Sequence, residues 1–109
     1  MERKIRTYGG YFEAFMASIS IDVQKKVDYC LDLLKTQDRV PAKFVKYIKD
    51  GLFELRIEWE GNIYRVFFIF DGDKIVVLFN GFQKKTQKTP VSEINKALKI
   101  KKEYYDNRR

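Results

Sequence analysis

Histidine is absent from this sequence, and cysteine occurs once, at Cys30. A lone thiol excludes an intramolecular disulfide and a multi-cysteine metal site, and without imidazole a zinc centre is not expected, nor is any other cofactor. The missing histidine also removes the usual general base, so acid–base chemistry would have to use Lys, Tyr, Asp or Glu. No apolar run approaches the roughly 20 residues that cross a bilayer. The opening MERKIRTYGG has no apolar signal core, so a cytoplasmic protein without membrane contact is expected. Repeats and low-complexity segments are lacking, and a chain of 109 residues is expected to form one domain, 1–109, with no internal linker.

What the sequence does have is positive charge on a foldable background. Lys and Arg number 22 against 15 Asp and Glu, a net charge of +7, which favours an anionic partner such as nucleic acid or an acidic protein. Hydrophobic residues make up 45% and aromatics 16%, too much apolar material for a disordered basic tail.

The pattern along the chain is that of an α+β fold: two N-terminal helices, an antiparallel β-meander and a C-terminal helix. After a short strand at Lys4 to Tyr8, the Gly9-Gly10 pair breaks the chain, and Tyr11 to Ala17 reads as a helix. Ser20 reads as the N-cap of a second helix to about Thr36, with Val23, Val27, Cys30, Leu31 and Leu34 as its apolar stripe. Phe53, Leu55, Ile57 and Trp59 alternate with Glu54, Arg56 and Glu58 as in a strand with one buried face. Asn62 to Phe70 and Ile75 to Phe79 read as strands covered on both faces, with Glu60-Gly61 and Asp71-Gly72 as two-residue turns. Thr89 as cap and Pro90 in the first turn start the last helix, which runs to about Tyr105. All helices are expected on one side of the sheet.

Two arginines inside apolar strands need a reason. A two-residue turn at Glu60-Gly61 sets Arg56 opposite Arg65 on one face, where like charges repel. Continuing through Asp71-Gly72 pairs Arg65 with Leu78 and brings Lys84, Lys85 and Lys88 to the edge of that face. Glu54 and Glu58 could neutralise the arginines as ordinary cross-strand pairs. Two guanidinium forks beside flexible ammonium groups suit a phosphodiester better. In such a site Lys84 or Lys85 would handle a proton while Arg65 and Arg56 stabilise the transition state of attack by an RNA 2′-hydroxyl. Tyr64 points to the other face, into core, and Tyr104 and Tyr105 are candidates for stacking on a base.

GLFELR (Gly51 to Arg56), NIYRVFF (Asn62 to Phe68), NGFQKKTQKTP (Asn80 to Pro90) and EINKALK (Glu93 to Lys99) occur in that order, and with them the sequence resembles the RelE/HigB-type toxins of bacterial and phage type II toxin–antitoxin modules. The resemblance implies a small α+β toxin that binds the ribosomal A site and cleaves mRNA there. It also implies silencing by a cognate antitoxin, often a helix-turn-helix protein of the HigA kind. By position it assigns Arg65 and Arg56 to the YR and ELR arginines and Lys84, Lys85 and Lys88 to the basic residues after the last strand. Two other functions fit the sequence: a ParE-like toxin that poisons DNA gyrase without nuclease activity, and a non-catalytic basic RNA-binding or phage accessory module.

Overall fold

Glu60 (φ 48°) and Gly61 (φ 80°) both take left-handed backbone angles, the combination of a type I′ turn whose twist matches that of the strands it joins. This turn fixes the centre of the fold. In the computed structural model, which describes residues 2–108 and leaves Met1 and Arg109 outside, the elements follow in the order β1 (Lys4–Thr7), α1 (Tyr11–Ser18), α2 (Ile21–Thr36), β2 (Val45–Lys49), β3 (Leu52–Trp59), β4 (Asn62–Phe70), β5 (Ile75–Lys84) and α3 (Val91–Asn107). Ser20 caps α2 as expected, its hydroxyl accepting the Val23 amide at 3.3 Å, which satisfies one of the donors left free at a helix start.

The sheet order is β1-β5-β4-β3-β2. The expected meander is present as β2 to β5, and β1 adds a parallel strand against β5, so the sheet is mixed. The helices do not share one side. Val27, Cys30 and Leu34 of α2 meet Leu55, Ile57, Val66 and Phe68 on one face, whereas Ala97 and Ile100 of α3 meet Leu52, Phe67, Ile69 and Phe79 on the other. Strands buried on both faces carry apolar residues at both parities, which is why β4 reads as continuously hydrophobic.

The expected register across β4 and β5 is also corrected. Arg65 pairs with Phe82 and Ile63 with Lys84, not Arg65 with Leu78. Asp71 to Lys74 form a four-residue connection closed by the Asp71 amide on the Ile75 carbonyl, and further along Phe79 and Asn80 together oppose Phe67, a β-bulge. Thr89 does not cap α3 either: Pro90 occupies the N-cap position without a side-chain hydrogen bond.

Gly81 lies where α1 crosses β5. A Cβ built there would stand 2.5 Å from Cγ of Phe15, so the glycine lets the ring rest on the strand backbone. Gly81→Ala is expected to destabilise the protein by about 2 kcal/mol through overpacking, a fall in melting temperature of roughly 8 to 16 °C. A second substitution, Phe15→Leu, is expected to recover part of that loss in the same thermal melt. An undiminished melting temperature in Gly81→Ala would contradict this account of the contact.

Candidate functional site

The residue at the bottom of the site is Arg65, only 3% exposed and set in β4 beside Glu54 of β3, 2% exposed. A buried guanidinium requires a counter-charge. Glu54 Oε2 lies 3.4 Å from Nε of Arg65 and 3.5 Å from Nε of Arg56. Its other oxygen accepts the Thr89 hydroxyl at 3.2 Å. One carboxylate thus holds two arginines that the register places directly opposite each other. Both Arg56 and Glu54 precede Ile57 at positions facing α3, so strand alternation sets all three charges on one surface.

The pairing of Arg65 is incomplete, and the residue lines the cavity above it. Arg65 donates through Nη1 to the Tyr64 carbonyl at 3.0 Å. Its Nε–H is not aimed at Glu54 closely enough to form a hydrogen bond and has no other partner among the described residues, so the contact with the carboxylate is ionic. Burial holds the Arg65 pKa below the ordinary arginine value, with Glu54 opposing that shift. Glu58 is exposed and forms no ion pair among the described residues. The close ion pairing expected of the two glutamates therefore falls to Glu54, and Glu58 acts on Arg65 only at longer range.

Above the pair opens a cavity of about 640 Å³ lined by Arg56, Arg65, Lys84, Lys85, Glu58 and Gln83. Lys84 ends β5 opposite Ile63, a partly buried position. Burial lowers its pKa below the usual lysine value, and Arg65, Arg56 and Lys46 push it the same way against Glu54. A lysine held among cations in a partly dry site is poised to give up its proton more readily than a free one. Lys85 is exposed on the rim. Lys88 lines an adjoining cavity of about 400 Å³ together with Lys46, Glu54 and Thr89.

The two tyrosines, candidates for stacking on a base, line neither of these cavities. Tyr104 packs edge-on against Tyr8 at 5.4 Å and its hydroxyl donates to Asp71, beyond the far end of β4. The nine residues of β4 put that end on the order of 25 Å from Ile63 and Lys84. The reason is helical period: Tyr104 falls on the Ala97 and Ile100 face of α3 and so enters the core. Tyr105 is 39% exposed, with the Arg108 guanidinium 5.2 Å over its ring.

Three contributors escaped sequence reasoning. Glu54 was visible only as one of two equivalent glutamates. Thr89 read as a helix cap, its Thr-Pro signal being the same for either role. Lys46 pairs with Glu54 across β2 and β3, and only that register reveals it.

The mixed sheet, with α1 and α2 on one face and α3 on the other, is the α+β fold of RelE-type toxins. A chain of the archaeal RelE–RelB complex from Pyrococcus horikoshii OT3 matches with a TM-score of 0.56 and 16% identity over 78% of this chain and 98% of that one. The E. coli toxin RelE in the free state, in a form with two arginines changed to alanine, matches with a TM-score of 0.61 and 12% identity over 88% and 93%. Identities this low establish the shared fold. The family described as Phage derived protein Gp49-like matches residues 14–102, and the chain belongs to that family. No curated protein matches the sequence.

Proposed function

We propose that this protein is the toxin of a type II toxin–antitoxin pair and cleaves mRNA on the ribosome, working in the cytoplasm and held inactive by a cognate antitoxin, of the helix-turn-helix HigA kind, that covers the basic face. The observation that carries this reading is the buried Arg65, fixed by Glu54 at the floor of a cavity whose rim holds Arg56, Lys84 and Lys85. A fixed cation beneath three further cations suits a phosphodiester that gains charge as it reacts.

In the mechanism that follows, the 2′-oxygen of one nucleotide attacks the adjacent phosphorus. The P–O5′ bond breaks, leaving a 2′,3′-cyclic phosphate and a free 5′-hydroxyl. Neutral Lys84 accepts the 2′-hydroxyl proton, its pKa being lowered by burial and by Arg65. Arg65 and Arg56 meet the charge on the non-bridging oxygens. Lys85, nearer solvent, returns a proton to the departing 5′-oxygen. Lys88 contacts the RNA backbone outside the reacting linkage.

The test is to map new RNA 5′ ends after incubating an mRNA with the protein, with and without translating ribosomes. Cuts that require ribosomes and disappear in Arg65→Ala are expected. Because Arg65 also neutralises Glu54, the folded state of that variant is checked by circular dichroism. Absence of cuts from the folded wild type in either condition would overturn the nuclease reading, and inhibition of gyrase supercoiling by the same protein would replace it.

A further inference from the structure

The cavity around Lys88 takes no part in the bond-breaking step. It is continuous with the reaction cavity, since Arg56, Lys84 and Gln87 line both. Its other walls are Lys46, Tyr47 and Ile48 of β2 with Lys88 and Thr89, and Ile94 of α3 closes one side. Glu54 also borders it, but that carboxylate is taken up by Arg56, Arg65 and the Thr89 hydroxyl, so the free charge in this space is positive. Lys46 and Lys88 are both exposed, with no carboxylate within ion-pair distance among the described residues. Nothing in the packing accounts for two unpaired ammonium groups brought together from β2 and the β5–α3 connection.

The spacing suits the next phosphate of the same strand. Lys46 stands across from Glu54, and Arg56, shared with the reaction cavity, is two residues further along β3, about 7 Å. That is a step comparable to the one between successive phosphates of an extended single strand. Lys46 is also near enough to Lys84 for its charge to bear on that side chain. We infer that the cavity between β2 and the β5–α3 connection is a second phosphate subsite, in which Lys46 and Lys88 hold the RNA backbone phosphate adjacent to the cleaved linkage.

This inference rests on the nuclease reading and sharpens it: the protein grips two successive phosphates, one reacting and one anchored. Flexible lysines suit the anchored phosphate, which needs attraction without fixed geometry, whereas the reacting phosphate receives the planar arginines. An acidic segment of a protein partner could also seat on two lysines. The continuity with the reaction cavity favours RNA.

The experiment measures single-turnover cleavage of ribosome-bound mRNAs carrying one neutral methylphosphonate at each position flanking the cleaved bond, by wild type and by Lys46→Ala/Lys88→Ala. In wild type, one flanking methylphosphonate is expected to slow cleavage about tenfold at subsaturating protein. The double variant is expected to be slowed to a similar degree on unmodified RNA and to lose nothing more on the modified one. Its salt dependence should be shallower by about 0.7 in log–log slope, the value for one phosphate of a single strand. Losses that add at every flanking position would overturn the subsite while leaving the nuclease reading in place. Additive losses accompanied by weaker antitoxin binding would assign the lysines to the protein partner instead. No cleavage by folded wild type at any position would overturn both.

Discussion

Lys84→Ala is expected to lower the rate of RNA cleavage by 10²- to 10⁴-fold, the usual contribution of a positioned general acid or base, while leaving the melting temperature nearly unchanged. Lys84 forms no ion pair among the described residues, so its removal breaks no network, and cleavage kinetics should register the loss where stability does not. Arginine separates the two roles that lysine could play. Lys84→Arg keeps the positive charge but cannot surrender a proton at accessible pH, so a base role predicts that it fails to restore activity. Full rescue by arginine would show that position 84 supplies charge alone.

The pH dependence follows from the same group. Burial and neighbouring cations hold the Lys84 pKa below its ordinary 10.5, so the neutral, proton-accepting form is populated at lower pH than in a free lysine. Activity is therefore expected to rise with pH up to an inflection below the free-lysine value. Removing one of the cations responsible, in Arg56→Ala, should move the inflection upward, because less repulsion opposes the protonated form. An inflection that stays in place in Arg56→Ala would detach the titration from Lys84.

How much of this was legible in the sequence depends on which local signal set each distance. Arg56 against Arg65 was readable because a two-residue turn leaves one register, and Glu60-Gly61 carries the backbone angles for it. The next turn misled because Asp71-Gly72 looks the same on paper, yet Asp71 is set against Ile75, with Gly72, Asp73 and Lys74 between them, so that Phe70 meets Val76 in place of Asp73. That moves the pairing by three, and the bulge at Phe79 and Asn80 moves it by one more, so Arg65 meets Phe82 in place of Leu78. The total of four is even. Because strand side chains alternate with period two, the basic face survived an error in the register, and Lys84 came closer to Arg65 than the simple count implied.

The face taken by α3 was not legible at all. Ile94, Ala97, Ile100 and Tyr104 describe an apolar stripe, and a stripe states only that something covers it. Which side of the sheet does so is decided by the both-sided burial of β4 and β5 and by where α1 and α2 already lie. Tyr104 and Tyr105, read as candidates for stacking on a base, lie near the far end of that helix of 17 residues, away from the lysine-rich segment that precedes it.

Glu54 offers the sharpest separation of folding from function. Glu54→Leu is expected to destabilise the protein by about 3 to 5 kcal/mol, since it leaves the buried Arg65 without its counter-charge. Thr89 loses its acceptor in the same change. Arg65→Met alone strands Glu54 and should be comparably damaging. Glu54→Leu/Arg65→Met, which removes both charges and fills the space, is expected to recover most of the stability in urea unfolding, because a buried ion pair replaced by apolar groups of similar volume is often neutral. Cleavage should remain absent in that double variant, for no fixed cation is left beneath the phosphate. A double variant as unstable as the two single changes added together would mean that Glu54 and Arg65 do not act as a pair. A stable one that still cleaves would move the transition-state charge onto Arg56 and the lysines and leave the buried pair a structural role only.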